Sequence, residues 1–159
     1  MSEASYFIDV GAAYGYYTLM AAKLMRNGFI LAFEPGFVLY RVPEANLAVN
    51  SIDNVKPLNV ALSDINGDTI IQGGRVKARR LDDPLQEEGI ELNDNDLVKI
   101  DVEGMALKVL KGCEGVFKHS RPKLVIELHK GEEMVETSLK RLGYKILKPS
   151  KYFIVALRG

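Results

Sequence analysis

Near its start, the sequence runs from an apolar strand into a turn of small residues and then into a helix. The segment is Phe7-Ile8-Asp9-Val10-Gly11-Ala12-Ala13-Tyr14-Gly15-Tyr16-Tyr17-Thr18. Small side chains at such a turn leave room for a ligand to approach the backbone. The amides that open the helix lack partners within it, so they can donate to a carboxylate or phosphate. This order predicts a strand-helix-strand unit that holds a small molecule at its first turn.

The spacing of the glycines distinguishes between possible ligands. A dinucleotide fingerprint has glycine at its first, third and sixth positions, where this chain has Gly11, Ala13 and Tyr16. A pyrophosphate would meet a methyl group and then a bulky ring, so NAD and a nicotinamide reductase are disfavoured. A nucleoside with a compact charged tail fits the turn better, and S-adenosylmethionine has this form.

A second signal follows one strand later, at Glu34. This residue ends the apolar run Phe29-Ile30-Leu31-Ala32-Phe33, at the interval of about twenty residues where a Rossmann-type unit presents a carboxylate to ribose hydroxyls. An ordinary acid at a strand end is the alternative interpretation. Because both signals occur in tandem, we favour a ligand role.

Composition indicates one compact domain spanning residues 1–159. The chain is 47% hydrophobic, and its 21 basic residues equal its 21 acidic ones, so wholesale nucleic-acid binding is unlikely. The single cysteine, Cys113, excludes an internal disulfide and a multi-cysteine zinc site, and a packing role is expected. No apolar run approaches the ~20 residues that span a bilayer, and no signal peptide is evident. We therefore predict a cytoplasmic protein without membrane contact.

Strand and helix patterns alternate along the chain. This alternation predicts an α/β fold, with a doubly wound, mostly parallel sheet of seven strands that ends in an antiparallel hairpin. The predicted strands are Tyr6–Val10, Phe29–Glu34, Lys56–Ala61, Leu97–Asp101, Lys123–Leu128, Tyr144–Leu147 and Tyr152–Leu157. A separate hairpin is predicted from Asp68–Ile71 and Arg75–Leu81. The predicted helices are Tyr14–Arg26, Val38–Asn50, Gly104–Leu110 and Glu132–Leu142.

An ordered set of motifs resembles the FkbM family of S-adenosylmethionine-dependent methyltransferases. The set comprises Phe7–Ala12 with Gly15–Thr18, Phe33-Glu34-Pro35, Asn46-Leu47 with Asn50, Ala61-Leu62-Ser63-Asp64, Leu81-Asp82-Asp83, Leu97–Gly104 and Val125–His129. The resemblance implies a Rossmann-like class I methyltransferase fold and methyl transfer, usually to a hydroxyl of a sugar, glycolipid or other small metabolite. This chain departs from the family at Ala13, commonly asparagine, and at Ala106, commonly glutamate. Five residues precede the first predicted strand, so the usual N-terminal extension is expected to be missing.

The same resemblance implies the cofactor-binding residues. Gly11, Ala12 and Gly15 would form the turn under the methionine part, and Asp9 would hold its ammonium directly or through water. Glu34 would accept hydrogen bonds from the ribose hydroxyls. The adenine would lie beside Asn59 and a group of residues at the end of the third strand, which are Ala61, Leu62 and Ser63. Asp101 also belongs to the predicted cofactor contacts.

A hydroxyl acceptor requires a general base or a metal ion, because it is a poor nucleophile until its proton is removed. Four side chains follow the fourth and fifth predicted strands and are therefore the catalytic candidates: Asp101, Glu103, Glu127 and His129. The acids can instead cap or face a helix N-terminus, and a lone histidine is often structural. The four residues can together ligate magnesium or a transition ion, but their spacing does not establish such a site, and we do not predict a metal.

Several features leave alternatives open. Arg75, Lys77 and Arg79 share one face of a strand; a solvated edge is favoured over an anionic acceptor. Tyr14, Tyr16 and Tyr17 are expected to pack the first helix, and the stretch 85–96 can form a partial lid. We expect a small hydroxylated acceptor and self-association or a partner subunit that completes the pocket. A non-catalytic cofactor-binding or interaction domain is the main rival function, and an RNA methyltransferase is a weaker one.

Overall fold

A computed structural model describes residues 4–71 and 73–159. Within them the chain forms ten strands and six helices. The strands are β1 (Tyr6–Val10), β2 (Phe29–Phe33), β3 (Val55–Leu58), β4 (Ala61–Leu62), β5 (Gly67–Ile71), β6 (Gly74–Arg79), β7 (Leu97–Ile100), β8 (Lys123–Glu127), β9 (Tyr144–Ser150) and β10 (Phe153–Arg158). The helices are α1 (Tyr16–Leu24), α2 (Phe37–Val49), α3 (Asp82–Glu87), α4 (Ala106–Lys111), α5 (Glu114–His119) and α6 (Met134–Arg141).

Seven strands form the central sheet in the order β3-β2-β1-β7-β8-β10-β9. All neighbours pair in parallel except β10, which is antiparallel to both β8 and β9. This topology confirms the predicted Rossmann-like sheet with its C-terminal antiparallel hairpin. The strand predicted over residues 56–61 is wrong in its extent, since β3 ends at Leu58. After two intervening residues, Ala61–Leu62 pairs instead with the predicted β5–β6 hairpin in a second, three-stranded sheet.

Helices cover both faces of the central sheet because strand side chains alternate between the faces. Phe7 and Ile30 pack with Ala21, Ala22 and Met25, which places α1 on one face. The larger cluster lies on the opposite face, where α4, α5 and α6 meet β1, β2, β7, β8 and β10. The predicted packing role of Cys113 is confirmed, because its thiol is buried in this larger cluster between α4 and α5. Within the described residues, no helix is long and apolar enough to cross a membrane.

Two local predictions about packing are wrong. The first helix begins at Tyr16 instead of Tyr14, and Tyr14 and Tyr16 point to solvent, exposed by 66% and 71%. The stretch 85–96 is not a lid, since Ile90 and Leu92 are buried in the core. Its last residue, Asp96, accepts hydrogen bonds from the Ser5 and Tyr6 amides at the amino end of β1. The end of this segment therefore lies at the amino ends of the strands, on the side of the sheet away from their carboxyl ends.

Candidate active site

A cavity of about 460 Å³ opens at the carboxyl ends of β1, β2 and β7. The chain passes from β1 to β2 and β3 on one side and later returns to β7 on the other side. Ligands of open α/β sheets bind at such a reversal of strand order. The predicted site residues that line this cavity are Gly11, Glu34, Ala61, Leu62, Asp101, Glu103 and His129. Five other predicted site residues lie outside the set of described residues that line this cavity: Asp9, Ala12, Gly15, Ser63 and Glu127.

The turn after β1 takes its shape from backbone contacts to neighbouring strands. The amides of Gly11 and Ala12 both donate to the Phe33 carbonyl at 3.0 Å. Gly11 and Gly15 have φ angles of +77° and +79°. A Cβ on Gly11 would lie 1.9 Å from the Asp101 carbonyl oxygen, and one on Gly15 would lie 2.7 Å from Pro43. The sequence pattern predicted that these glycines make room for a ligand, whereas in the structure they allow close packing of the chain.

Ala13 adopts a left-handed backbone conformation, with φ of +47°. This conformation is unfavourable for alanine and more accessible to asparagine, which is the residue that the resemblance described above implies at this position. The Ala13 amide donates to Glu34 Oε2 at 2.9 Å, and the residue lines the cavity. The strained turn is therefore held in place by the carboxylate predicted to bind ribose.

Glu34 lies in the cavity wall at the end of β2. It is 7% exposed, and its second oxygen, Oε1, accepts a hydrogen bond from the Gly36 amide at 2.7 Å. Two backbone donors thus orient the carboxylate, and each oxygen keeps a further lone pair that can accept a hydroxyl. Asn59 supports this position indirectly, because its side chain donates to the carbonyls of Glu34 and Pro35. The Asn59 amide is used for this purpose and does not line the cavity.

The apolar wall of the cavity comes from two places in the sequence. Ala61 and Leu62 were predicted, and they lie at the boundary between the two sheets. The hairpin of β5 and β6 contributes Ile71 and Val76, which sequence reasoning missed. The aliphatic residues in this otherwise charged hairpin were the available signal, but nothing in the sequence specified what they contact. Ser63 is buried behind the wall, where its amide donates to the Arg79 carbonyl at 2.8 Å.

Asp9 lies behind the turn and is fully buried. Its Oδ2 accepts a hydrogen bond from the Thr18 hydroxyl at 2.6 Å, and its Oδ1 accepts one from Lys99 Nζ at 3.0 Å. The predicted contact of Asp9 with the cofactor ammonium stays a prediction. Sequence reasoning missed Lys99, although a lysine between Val98 and Ile100 in a buried strand is itself a signal.

Asp101 and His129 form a hydrogen-bonded pair at the ends of β7 and β8. His129 Nε2 lies 3.2 Å from Asp101 Oδ1, and both residues line the cavity. A carboxylate can only accept, so the imidazole proton is assigned to Nε2 and the free lone pair of the neutral ring to Nδ1. Glu132 holds this segment in place, since its carboxylate accepts from the amides of His129 and Ala106 at 2.8 and 2.9 Å. Sequence reasoning did not identify Glu132.

The other two catalytic candidates lie at different places. Glu103 is exposed at the cavity rim. Glu127 lines a second, apolar cavity of about 200 Å³ on the α1 face of the sheet, and Asp101 lines both cavities. Asp101, Glu127 and His129 each offer one ligand atom within 4.8 Å of the others. Of the four predicted metal ligands, these three lie close enough together to hold one metal ion, and Glu103 does not belong to this group.

The charges around the cavity favour a cationic ligand. Glu34, Asp101 and Glu103 belong to its described lining, which includes no lysine or arginine. The basic face of β6 points elsewhere: Lys77 and Arg75 pair with Asp68, and Arg79 pairs with Glu87. Hydrogen bonds from Lys77 and Arg75 hold the pKa of the Asp68 carboxyl below its usual range. The solvated-edge interpretation of these cations therefore fits the structure, and an anionic acceptor loses its proposed ligands.

Comparison with known proteins identifies the family. The family described as "Methyltransferase FkbM domain" matches residues 9–146. The chain belongs to the FkbM methyltransferase family. A methyltransferase of Sordaria araneosa, sdnD, is 30% identical over an alignment 158 positions long, which covers 69% of this chain and 60% of that protein.

Solved structures agree with this FkbM assignment at the level of the fold. An FkbM methyltransferase from Methylobacillus flagellatus has a TM-score of 0.73 at 16% identity and covers 96% of this chain and 43% of its own. An S-adenosylmethionine-dependent O-methyltransferase from Thermotoga maritima has a TM-score of 0.63 at 14% identity, covering 98% and 60%. A Streptococcus mutans methyltransferase solved with S-adenosylhomocysteine has a TM-score of 0.61 at 10% identity, covering 96% and 87%. The chain thus spans 60% and 43% of the lengths of the sdnD protein and the FkbM structure.

Proposed function

We propose that this FkbM domain transfers a methyl group from S-adenosylmethionine to the hydroxyl oxygen of a small, neutral, hydroxylated metabolite. The observation that carries the proposal is one cavity with an oriented carboxylate, Glu34, and the Asp101–His129 pair in its lining. A carboxylate in this position suits ribose, and a histidine paired with a carboxylate suits proton removal. A sugar is the acceptor class that the family resemblance favours.

The residues present fit this cofactor. Glu34 offers acceptor lone pairs to two ribose hydroxyls, and Leu62, Ile71 and Val76 offer an apolar wall for a base. The acidic lining complements the positive charge of the sulfonium. When bound, S-adenosylmethionine would supply an electrophilic methyl group on a cationic sulfur, and the carbon–sulfur bond would break to give a neutral thioether as the acceptor oxygen bonds to the methyl carbon. Transfer then requires alignment and exclusion of water more than further covalent chemistry from the protein.

His129 supplies the proton acceptor in this proposal. Its Nδ1 takes the hydroxyl proton as the new oxygen–carbon bond forms, and the Asp101 carboxylate stabilises the resulting imidazolium through Nε2. The imidazolium later releases the proton to solvent, which restores the starting state. Because the lining is acidic, an acceptor with phosphate or carboxylate groups would be repelled, so we propose a neutral one.

Calorimetric titration with S-adenosylmethionine and S-adenosylhomocysteine tests the cofactor site. We expect Glu34→Ala to weaken binding at least tenfold, or about 1.4 kcal/mol, with an unchanged circular dichroism spectrum. The control is Glu87→Ala, which removes an exposed acid paired with Arg79 and should bind like the wild type. Absence of binding to the wild-type protein, or equal binding to Glu34→Ala, would contradict the proposed site.

Mass spectrometric detection of S-adenosylhomocysteine, with panels of neutral and anionic hydroxylated acceptors, tests turnover. Product with neutral acceptors supports the proposed reaction. Tight cofactor binding without product from any acceptor would instead favour the non-catalytic domain, the main rival function. Product from anionic acceptors alone would contradict the charge argument.

A further inference from the structure

We infer that Lys99 is a positioning residue for this reaction, whose ammonium group holds the turn at Gly11 and the Asp101 carboxylate in a common arrangement. The inference rests on the proposed function and gives a role to a residue of the motif Leu97–Gly104 for which neither the family resemblance nor the cofactor cavity supplies one. Lys99 does not line the cofactor cavity; it lies beneath it and lines the second cavity.

The position of Lys99 follows from strand geometry. Lys99 and Asp101 are two residues apart at the end of β7, so their side chains point to the same face. Lys99 pairs in register with Asp9 on β1, and the Asp101 amide continues this ladder by donating to the Val10 carbonyl at 3.0 Å. The two strands thus place Lys99 beside Asp9 and one step below Asp101.

The ammonium group contacts three acceptors, two at the end of β1 and one at the end of β7. Its Nζ donates to Asp9 Oδ1 at 3.0 Å and to the Gly11 carbonyl at 2.9 Å, and it lies 3.7 Å from Asp101 Oδ2. The Tyr17 ring covers it at 5.1 Å, and the residue is only 8% exposed. Two of the three ammonium donors therefore make hydrogen bonds, and the contact with Asp101 is an ion pair too long for a hydrogen bond.

Neutralisation of Asp9 explains only one of these contacts. Asp9 is fully buried and needs a counter-charge, because a buried carboxylate without one is strongly destabilising. The other two contacts reach the cavity lining, where Gly11 and Asp101 lie. Lys99 therefore connects a structural ion pair to the site.

The contact with Asp101 limits the orientation of its carboxylate. Oδ2 faces Lys99 Nζ, and Oδ1 is left to accept from His129 Nε2 at 3.2 Å. Without the ammonium, the carboxylate can rotate and the imidazole loses its fixed partner. A misplacement of about 1 Å at a reacting group can lower the rate 100-fold. We therefore expect Lys99 to affect turnover more than cofactor affinity.

The test uses the charge-compensated double variant Lys99→Met/Asp9→Asn, because Lys99→Met alone leaves Asp9 buried without a counter-charge and can fail to fold. Asp9→Asn is the matched single variant. Both variants carry Asp9→Asn, so any effect of Asp9 on cofactor binding is common to them and the comparison isolates Lys99. Relative to Asp9→Asn, we expect the double variant to have the same circular dichroism spectrum, a dissociation constant for S-adenosylmethionine within threefold, and turnover lowered about 10- to 100-fold.

Nitrogen NMR of the imidazole rings gives a readout that needs no acceptor. The chain has two histidines, and His119 on α5 serves as the internal control. In the double variant we expect His129 to lose its single tautomer with the proton on Nε2, while the His119 signals stay unchanged. A folded double variant with wild-type His129 signals would overturn the inference, as would turnover equal to that of Asp9→Asn. A wild-type protein that binds no cofactor would count against the proposed function, while the NMR result would still decide the role of Lys99.

Discussion

Gly11 and Asp101 approach each other so closely that a Cβ on Gly11 would lie 1.9 Å from the Asp101 carbonyl oxygen. This contact joins the turn after β1 to the end of β7 and brings the predicted cofactor turn beside the predicted catalytic strand end. Any L side chain at Gly11 must both separate these segments and accept a φ of +77°. The relationship makes the turn a structural element as well as a cavity wall.

We predict that Gly11→Ala lowers the free energy of unfolding by about 2–5 kcal/mol, since overpacking costs about 1–3 and the left-handed conformation about 1–2 kcal/mol. Urea unfolding followed by circular dichroism measures this change. Gly104→Ala is the matched control, because Gly104 has a φ of +68° but open space around its Cβ position. It should cost only the conformational part, about 1–2 kcal/mol. Equal losses in both variants would show that the contact with Asp101 is not rigid.

The Asp101–His129 pair gives a second prediction. His129→Asn and Asp101→Asn should each lower kcat by about 10²–10⁴-fold, because the first removes the base and the second removes the carboxylate that orients it. Cofactor affinity, measured by calorimetry, should stay within about threefold for His129→Asn. His119→Gln on the exposed end of α5 is the control and should leave kcat unchanged. Full activity of His129→Asn would assign proton removal to another group.

The third prediction concerns stability at acid pH. Lys140 and Lys148 donate hydrogen bonds to Glu136, and these contacts lower the pKa of its carboxyl from 4.5 to about 2. Because the folded-state pKa lies below the unfolded one, the ion pairs stabilise the fold fully above pH 4.5. This contribution is lost as the pH falls from 4.5 towards 2.

Thermal unfolding of the wild type and of Lys140→Gln between pH 7 and pH 2 tests the direction of this pH dependence of stability. The wild type should have the higher melting temperature at pH 7, and the difference should shrink below pH 4.5. Lys148→Gln should behave in the same way, with a smaller effect, because Lys140 makes the larger contribution to the pKa shift. Added salt should reduce both differences, since the side chains lie at the surface. A difference that grows on acidification would contradict the assignment.

Local patterns in the sequence were sufficient to predict much of the site. Gly11 and Glu34 each follow an apolar run that is typical of a buried strand. Because the carboxyl ends of parallel strands lie on the same side of a sheet, both residues are expected there. Asp101 and His129 were predicted for the same reason, because each follows a buried strand. The cavity lining includes these four residues.

The errors arose where a residue's role depends on a distant contact. Ala61 and Leu62 leave the central sheet because β6, which lies later in the chain, offers them a pairing partner. Glu127 follows the same pattern as Asp101 but lines the second cavity instead of the first. Helices α3 and α5 were not predicted from the sequence. They have six residues each, and such short helices give little periodicity to detect.

The sequence by itself determined the order of strands and helices, the family, and the edge of the sheet where the site lies, because these depend on periodicity and on motifs within short segments. Only the tertiary structure decided why Gly11 must be glycine, what neutralises Asp9, and which oxygen of Asp101 faces His129. Each of these depends on atoms that are distant in the chain: Asp9 and Lys99 are 90 residues apart, and Asp101 and His129 are 28 apart. Only folding brings such groups within hydrogen-bond distance, so no local pattern contains them.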